Sequence, residues 1–308
     1  MKQLGLEAYR SRYMDESDCR GKSVTLQETE AEDCRLPERK PVSHKYSYGR
    51  ALIIGGCTGF SGAPVLAANA CERSGAGLTH LVVPESIYPI AAARCDGAVV
   101  TPVAATEEGA VSRRAVEAIL PLLRKADACV IGPGLGLSED ARETVECVVR
   151  EADCPLVLDA DALTICGRNM ELLTVCRRPV ILTPHEGEFR RLGGDLSGGR
   201  LAGARKFTAE HPKVILILKG YGTLVCSGEH MAVNPTGSPA MAKGGSGDVL
   251  SGILCALLAQ GFNPLFAART AVYLHGLAGD VASEELGEYC VAPSDLIRCL
   301  PTAFRTVR

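Results

Sequence analysis

Short apolar runs alternate with stretches of helical length from about Tyr48 onward, and this alternation limits the fold more than any other feature. Several runs are apolar at every position, which favours strands buried on both faces of a parallel sheet. The strand candidates are 50–54, 78–83, 128–131, 155–158, 179–182, 214–218 and 224–226. The helix candidates are 63–74, 112–124, 139–151 and 267–285. The pattern predicts an α/β protein with a mostly parallel sheet flanked by helices.

Residues 1–43 differ in composition from the rest of the chain. They are polar and mixed in charge, as in Gln27-Glu-Thr-Glu-Ala-Glu-Asp33, and they show no sustained apolar period. We interpret 1–43 as a weakly structured N-terminal extension and 44–308 as one domain, because no linker or internal repeat follows residue 44.

Composition excludes several classes of function. The net charge is −3, from 33 basic and 36 acidic side chains, and no basic cluster with interleaved aromatic residues occurs, so nucleic acid is not an expected partner. No apolar run has the roughly 18–20 residues of a membrane span, and the N-terminus lacks a signal-peptide core, so we expect no membrane partner and a cytoplasmic location. The fourteen cysteines include no Cys-x-x-Cys pair and are interpreted as buried, reduced thiols.

Polar or glycine-rich residues follow most of the predicted strands. These strand ends are 55–56, 84–85, 132–136, 159–161, 183–185 and 219–220. In open α/β sheets, ligands bind beyond the carboxyl ends of the strands. We therefore expect site residues that are dispersed in the sequence to gather at one edge of a single sheet.

The segment Gly244-Gly-Ser-Gly-Asp248 immediately precedes an apolar run of helical length. Gly247 and Asp248 are predicted to lie in the first turn of that helix, where free N–H groups and the helix dipole favour an anion such as phosphate. An aspartate in this turn suits a base that takes a proton from an attacking hydroxyl. A simple N-cap is the alternative, although a cap does not require the neighbouring glycines. The spacing is not that of a Walker A loop.

Gly132-Pro-Gly-Leu-Gly136 only partly resembles a dinucleotide-binding fingerprint. Its spacing is G-x-G-x-G rather than G-x-G-x-x-G, so a Rossmann dehydrogenase is not expected, while a glycine turn close to a ligand is. Asp159 and Asp161 follow another strand. One of them is expected to face the site and the other to cap a helix, and the sequence does not distinguish them.

His185 and Glu188 are three residues apart at a strand end and would share one face of a short helix. The pair favours substrate contact or helix capping over zinc binding, because no third ligand has a suitable spacing. The other histidines, including His80 and His275, are interpreted as core or surface residues. Lys219 ends the strongest strand and would reach a phosphate, and the alternative for 219–223 is a hairpin turn.

Taken in order, these motifs resemble the ADP- or ATP-dependent NAD(P)H-hydrate dehydratases of the ribokinase-like superfamily. The resemblance runs from about residue 44 to the C-terminus. Its motifs are Gly62-Ala-Pro64, Arg73-Ser-Gly-Ala-Gly77, Pro84-Glu-Ser86, Gly132–Gly136, Leu158-Asp-Ala-Asp-Ala-Leu163, Thr183-Pro-His-Glu-Gly-Glu188, Lys219-Gly220, Asn234-Pro-Thr-Gly237, Gly244–Asp248 and Tyr273-Leu-His-Gly-Leu-Ala-Gly-Asp280.

The resemblance implies a ribokinase-like three-layer sandwich and the repair of hydrated NADH or NADPH with ADP or ATP as co-substrate and Mg²⁺ as cofactor. Asp248 would be the catalytic base, and no protein-held metal site is expected. The residues implied to bind substrate are Ala63, Asp159, Gly134, Gly136, His185, Glu188 and Asp248, with contacts extending along 185–191. Those implied to bind the nucleotide are Lys219, Gly220, Tyr221, Gly222, Thr223, Gly244, Gly245, Ser246 and Gly247.

The chain departs from the family at a few positions. Ser246 replaces the usual threonine, Cys95-Asp96 stands where many relatives have Pro-Glu, and 1–43 has no clear counterpart. The Pro-His form of the 183–188 motif resembles the ADP-using bacterial branch. A homo-oligomer is expected. The alternatives are a ribokinase-like kinase for a small alcohol such as a vitamin precursor, and a nucleotide sensor without turnover, against which Asp248 argues.

Overall fold

One sheet of ten strands forms the centre of the protein, in a computed structural model that describes residues 26–308. The strands are β1 Leu26–Glu28, β2 Arg50–Ile54, β3 Leu78–Pro84, β4 Val99–Val103, β5 Ala128–Ile131, β6 Leu156–Leu158, β7 Val180–Leu182, β8 Val214–Leu218, β9 Leu224–Ser227 and β10 His230–Val233. Their order across the sheet is β1, β10, β9, β8, β7, β6, β5, β2, β3, β4. Of these ten, β9 alone runs against the others, being antiparallel to both β8 and β10.

Helices pack on both faces of this sheet. They are α1 Gly62–Arg73, α2 Tyr88–Arg94, α3 Val116–Leu123, α4 Glu139–Glu151, α5 Asp161–Gly167, α6 Leu172–Val175, α7 Glu186–Arg191, α8 Arg200–Glu210, α9 Ser246–Ala259, α10 Pro264–Leu286 and α11 Pro293–Arg305. Alternate strand residues enter two separate cores. Ile53 packs in the core with α1, α9, α10 and α11, whereas Leu52 packs in the core with α3, α4, α5 and α8. The predicted mostly parallel sheet flanked by helices is confirmed.

All seven predicted strand runs form strands, with ends that agree to within one residue. The four predicted helices also form, although the first turn of 112–124 is a 3₁₀ helix at Arg113–Ala115. Three strands were not predicted: β1, β4 and β10. β4 lies at a sheet edge, where Val99 is 45 % exposed, and it lacks the continuous burial that made the other strands visible in the sequence.

Part of the segment interpreted as an extension belongs to the sheet. β1 pairs in parallel with β10, with Leu26 opposite Met231, and the side chain of Leu26 is buried. Farther along, Arg269 Nη2 donates to Asp33 Oδ2 at 2.7 Å, and the buried Cys34 packs in a core. The expectation of weak structure is therefore wrong for this part, because an open sheet edge supplies backbone partners to a strand too short to show a period. Residues 1–25 lie outside the described residues, and the domain boundary at residue 44 stays a prediction.

The cysteines in the described part of the chain are thiols without disulfide bonds. Eleven of these thirteen are buried, as predicted, while Cys147 is half-buried and Cys290 is exposed. Within residues 26–308 there is no helix whose length and apolar character would let it span a bilayer.

Close packing of α9 against α1 brings the glycine-rich segment to the carboxyl edge of the sheet. Gly252 permits this approach, because a Cβ on Gly252 would lie 2.1 Å from the carbonyl oxygen of Ala67. The helix that begins at Ser246 is otherwise buried along nearly its whole length, so its first turn is held firmly beside the ends of β6, β7 and β8.

Candidate active site

The glycine-rich segment starts α9 as predicted. Gly245 is the N-cap residue, with a left-handed φ of 97°, and Asp248 is the third residue of the helix. Ser246 Oγ donates to the carbonyl oxygen of Met241 at 2.8 Å, which ties the turn to the preceding chain. The first N–H groups of a helix have no partners within it, so this turn presents donors and a positive dipole end to an anion.

The side chain of Lys219 reaches the first turn of α9. A Cβ built on Gly247 would be 3.2 Å from Lys219 Nζ, so the ammonium group and the first turn of α9 face the same small volume. Lys219 Nζ is also 3.2 Å from Asp159 Oδ1 and 3.7 Å from Glu188 Oε2. Burial alone would lower the pKa of Lys219, but these carboxylates raise it overall. The lysine is therefore a cation held by two anions.

Asp159 and Asp161 have different tasks, which the sequence left open. Asp159 is 1 % exposed and accepts hydrogen bonds from Thr183 Oγ1 and Ser251 Oγ, both at 2.7 Å, in addition to Lys219. Asp161 Oδ2 accepts the N–H of Gly136 at 2.8 Å and so fixes the glycine turn that follows β5. Asp159 is thus the one that faces the cluster around Lys219.

Ala160 separates these two aspartates with an unusual backbone. Its φ is 49° and its ψ is −116°, the one positive φ among the described residues other than glycine. Such a conformation costs on the order of 1–3 kcal/mol for a residue with a side chain. The strained residue lies between two aspartates whose side chains contact different segments: Asp159 contacts Lys219, and Asp161 contacts Gly136.

The carboxyl group of Asp248 is perturbed by its surroundings. Burial, followed by the nearby negative charge of Asp159, raises the pKa of Asp248 from 3.8 to about 7, while Lys219 acts in the opposite direction. A general base is most effective when its pKa lies near the working pH. Asp248 therefore combines a place in the first turn of α9 with the proton affinity of a base at neutral pH.

His185 and Glu188 form a capping box at the start of α7. Nδ1 of His185 accepts the N–H groups of Gly187 at 2.9 Å and Glu188 at 3.2 Å, and Glu188 Oε2 accepts the N–H of His185 at 2.8 Å. Capping, one of the two alternatives for this pair, is thus confirmed. Substrate contact stays a prediction; because Nδ1 accepts hydrogen bonds, the ring proton of a neutral His185 is on Nε2, and the side chain is 55 % exposed.

Ala63 and the glycine turn after β5 lie side by side. Gly134 has a φ of 61°, and a Cβ there would be 2.7 Å from the carbonyl oxygen of Phe60 and 3.3 Å from the Cβ of Ala63. Glycine at 134 therefore permits both the turn and the contact with α1. Two of the predicted substrate positions are brought together, at the start of α1.

Residues 219–223 form the turn that joins antiparallel strands β8 and β9, so the hairpin alternative is correct for the backbone. Gly220 and Gly222 have φ values of 147° and 58°, and Thr223 Oγ1 donates to the carbonyl oxygen of Gly220 at 2.9 Å. The side chain of Tyr221 is nearly half exposed at the tip. The turn adjoins Lys219, and nucleotide contact at 219–223 stays a prediction.

Four residues of this region received no role from the sequence. Thr183 and Ser251 hold Asp159, Arg200 lies behind the 219–223 turn, and His275 lies near Ser246 and Lys219. Burial lowers the pKa of His275 to about 4, and its Nε2 has no hydrogen-bond partner among residues 26–308. The spacing of Ser251, three residues after Asp248 on α9, would have identified a neighbour on the same helix face.

A family model described as NAD(P)H-hydrate dehydratase matches residues 51–302 of this chain. The chain belongs to the NAD(P)H-hydrate dehydratase family. The matched range contains Asp159, Lys219 and Asp248, so the family assignment and the cluster at the carboxyl edge of the sheet concern the same domain.

Similar proteins extend this assignment. The bifunctional NAD(P)H-hydrate repair enzyme Nnr of Moorella thermoacetica is 38 % identical over 281 residues, which cover 89 % of this chain and 53 % of that protein. This member of the dehydratase family thus spans about half the length of the curated relatives it matches.

Solved structures agree with the fold of a dehydratase-family member. The ADP/ATP-dependent NAD(P)H-hydrate dehydratase from Bacillus subtilis, co-crystallised with ATP/Mg²⁺, has a TM-score of 0.78 and 30 % identity, covering 93 % of this chain and 100 % of that chain. A ribokinase-like superfamily protein from Enterococcus faecalis V583 has a TM-score of 0.82 and 28 % identity, covering 92 % and 96 %. The predicted ribokinase-like fold is confirmed.

Proposed function

We propose that this protein dehydrates hydrated NADH or NADPH at the expense of ADP or ATP and so restores the reduced cofactor. The observation that carries the proposal is Asp248, a carboxyl group with a pKa of about 7 in the first turn of α9, beside the Lys219 ammonium. Membership of the NAD(P)H-hydrate dehydratase family supports the reaction class, and in this proposal Asp248 would be the base and the first turn of α9 would bind the phosphate.

In the proposed reaction, Asp248 accepts the proton of the hydroxyl group on the hydrated nicotinamide ring. The hydroxyl oxygen then bonds to the terminal phosphorus of the nucleotide, and the bond from that phosphorus to the leaving nucleotide breaks. ADP would leave AMP, and ATP would leave ADP. Departure of phosphate from the ring, with loss of a proton from the neighbouring carbon, restores the reduced ring and gives one phosphate per cofactor repaired.

The first turn of α9 and Lys219 would stabilise the charge that develops on the transferred phosphoryl group. Donors that are already oriented before reaction are worth more than mobile ones, because they do not have to reorganise. Lys219 is oriented by Asp159 and Glu188, and Asp159 is in turn held by the hydroxyl groups of Thr183 and Ser251. These contacts fix the direction of the Lys219 side chain at the end of β8.

Mg²⁺ is the cofactor we propose, carried by the nucleotide. Among the described residues, no group of three or more His, Cys, Asp or Glu side chains is arranged to hold a metal ion. Lys219 and the N–H groups of 245–247 would contact the phosphates that carry the ion. When bound, the ion offsets the phosphate charge.

Finer features stay proposals. We propose ADP as the preferred co-substrate from the Pro-His form of the 183–188 motif, a cytoplasmic location from the composition, and a homo-oligomer. The substrate would contact Ala63, Gly134, Gly136 and residues 185–191, and the adenine nucleotide would contact 219–223 and 244–247. The small-alcohol kinase is not favoured, because the family match is to dehydratases.

The deciding experiment mixes the full chain with purified hydrated NADH, Mg²⁺ and either ADP or ATP. We expect the absorbance of reduced nicotinamide to recover only with a nucleotide, with one inorganic phosphate released per cofactor. The faster nucleotide identifies the preferred co-substrate, and Asp248→Asn serves as the inactive control. Absence of recovery with either nucleotide, in folded protein that transfers phosphate to a small alcohol, would replace the proposal with the kinase alternative.

A further inference from the structure

A buried arginine lies behind the turn between β8 and β9. Arg200 is the first residue of α8 and only 6 % exposed. Its guanidinium group donates to four backbone carbonyl groups on one continuous stretch of chain. The acceptors are Leu218 O at 3.0 Å, Lys219 O at 3.3 Å, Tyr221 O at 2.6 Å and Gly222 O at 3.3 Å.

This use of a buried charge is specific to arginine. A planar guanidinium presents five donors in a fixed fork, whereas a lysine ammonium presents three donors at a single point. Burying a charge is also costly unless it is paired, and Arg200 Nε forms an ion pair with Glu186 Oε1 at 3.4 Å. One side chain therefore connects both limbs of the turn to the first residue of α7.

The backbone of the turn packs directly on the guanidinium group of Arg200. A Cβ on Gly220 would lie 2.9 Å from Arg200 Nη2, so a side chain here would displace the guanidinium group, and the φ of 147° also favours glycine. The other side of the same chain is fixed by Lys219, whose N–H donates to the carbonyl oxygen of Pro184 at 2.8 Å. Arg200 and the carbonyl oxygen of Pro184 thus hold the backbone at Lys219 from two sides.

We propose that Arg200 is a positioning residue for nucleotide binding, which shapes the 219–223 turn and links it through Glu186 to the 185–191 segment. The proposal rests on the proposed contact between the adenine nucleotide and 219–223. Arg200 contacts backbone rather than nucleotide. Its effect is to hold the turn and Lys219 where ADP or ATP is received.

The test compares Arg200→Lys and Arg200→Met with a matched control, Lys213→Met. Lys213 immediately precedes β8, the strand that ends at the 219–223 turn. Its side chain donates to the carbonyl oxygens of Cys176 at 2.8 Å and Thr174 at 3.2 Å, outside the described site. Lys213→Met therefore also removes a basic side chain that holds backbone carbonyls. The dissociation constants of Mg²⁺–ADP and Mg²⁺–ATP are measured by calorimetry, together with the melting temperature.

We expect Arg200→Lys to weaken nucleotide binding roughly 10-fold and Arg200→Met roughly 100-fold, the scale on which misplaced binding groups act. KM for hydrated NADH should change less than threefold in Arg200→Lys. Lys213→Met should lower the melting temperature and leave nucleotide affinity unchanged. The proposal is overturned if Arg200→Lys binds both nucleotides like the unsubstituted protein, or if Lys213→Met weakens binding as much.

A reporter in the turn separates positioning from a loss of global stability. The chain contains no tryptophan, so Tyr221→Trp would place a single fluorophore at the tip. In that background Arg200→Lys should increase acrylamide quenching at temperatures well below unfolding, whereas Lys213→Met should not. Equal quenching in all three proteins would contradict the proposal.

The outcome for Arg200 is distinct from that for the dehydratase reaction. A protein that binds nucleotide in an Arg200-dependent way but repairs no hydrated cofactor would refute the proposed function alone. A protein that binds neither Mg²⁺–ADP nor Mg²⁺–ATP would overturn the role of Arg200.

Discussion

Replacing Asp248 by asparagine should stabilise the fold while it removes the proposed base. The pKa of Asp248 is raised from 3.8 to about 7 by burial and by Asp159, so the folded protein binds this proton more tightly than the unfolded chain. Its stabilising contribution is therefore complete below pH 3.8 and is lost as the pH rises through about 7. Asparagine has nearly the shape of the protonated acid and never ionises.

The size of the effect follows from the two pKa values. One pKa unit corresponds to about 1.36 kcal/mol, so the easier ionisation of Asp248 in the unfolded chain lowers the unfolding free energy by about 2 kcal/mol at pH 5.5 and about 4 kcal/mol at pH 8.5. These are upper values, because the side chain keeps some contact with water. We expect Asp248→Asn to gain unfolding free energy at both pH values, with the larger gain at pH 8.5. Its rate of cofactor repair should fall roughly 10²- to 10⁴-fold.

Urea denaturation at the two pH values measures the stability, and the nicotinamide absorbance assay measures the rate. Asp96→Asn is the matched control, because Asp96 is exposed and its substitution should leave the difference between the pH values unchanged. A raised pKa of Asp248 would be refuted if Asp248→Asn were less stable than the unsubstituted protein at pH 8.5, or if the gain in unfolding free energy were the same at both pH values. Near-normal repair by this variant would separately reject Asp248 as the base.

Three further outcomes are expected. The kcat/KM for hydrated NADH should rise with pH and level off above an inflection near 7, since Asp248 must be ionised to act; a profile flat from pH 5.5 to 8.5 would contradict this. Lys219→Ala should weaken nucleotide binding and also cost about 3–5 kcal/mol of unfolding free energy, because it leaves Asp159 buried without its cation. Calorimetry measures the nucleotide affinity and urea denaturation measures the stability. If neither quantity decreases, Lys219 does not belong to the site. Ala160→Gly should stabilise the fold by about 1 kcal/mol, as glycine tolerates a φ of 49°; a lower thermal midpoint would show that the backbone is not strained.

Raised proton affinity at Asp248 and strain at Ala160 occur within one small region. Both oppose stability at neutral pH, and both are offset by the buried packing of the sheet and of α9. Functional sites commonly carry such costs, because a preorganised site keeps charges and backbone in positions that packing alone would not choose.

The regular elements were largely predictable because their causes are local. The strand β8 is apolar at all five positions, and α4 carries a serine N-cap and apolar residues at helical spacing. Such patterns involve only residues that are close in sequence, so they can be recognised without knowing how the rest of the chain folds. β1 and β4 escaped prediction because an edge strand is defined by the partner it pairs with, and that partner is distant in sequence.

The candidate site divides in the same way. The glycines before Asp248 and the strand end at Lys219 were visible in the sequence, since the residue types and their order suffice to indicate a phosphate-binding turn. The raised pKa of Asp248 was not visible, because it depends on burial and on Asp159, 89 residues away. The different contacts of Asp159 and Asp161 also appear only when β5, β7, β8 and α9 meet.

The sequence by itself therefore determined the class of fold, the order of the main elements and the glycine-rich start of α9, because these follow from local pattern and backbone stereochemistry. Only the tertiary structure decided which charged side chains lie close enough to interact and which backbone carbonyl groups accept hydrogen bonds from Arg200. Electrostatic interactions and hydrogen bonds depend on distances in space, and a chain that returns repeatedly to one sheet edge brings together residues that no local pattern connects.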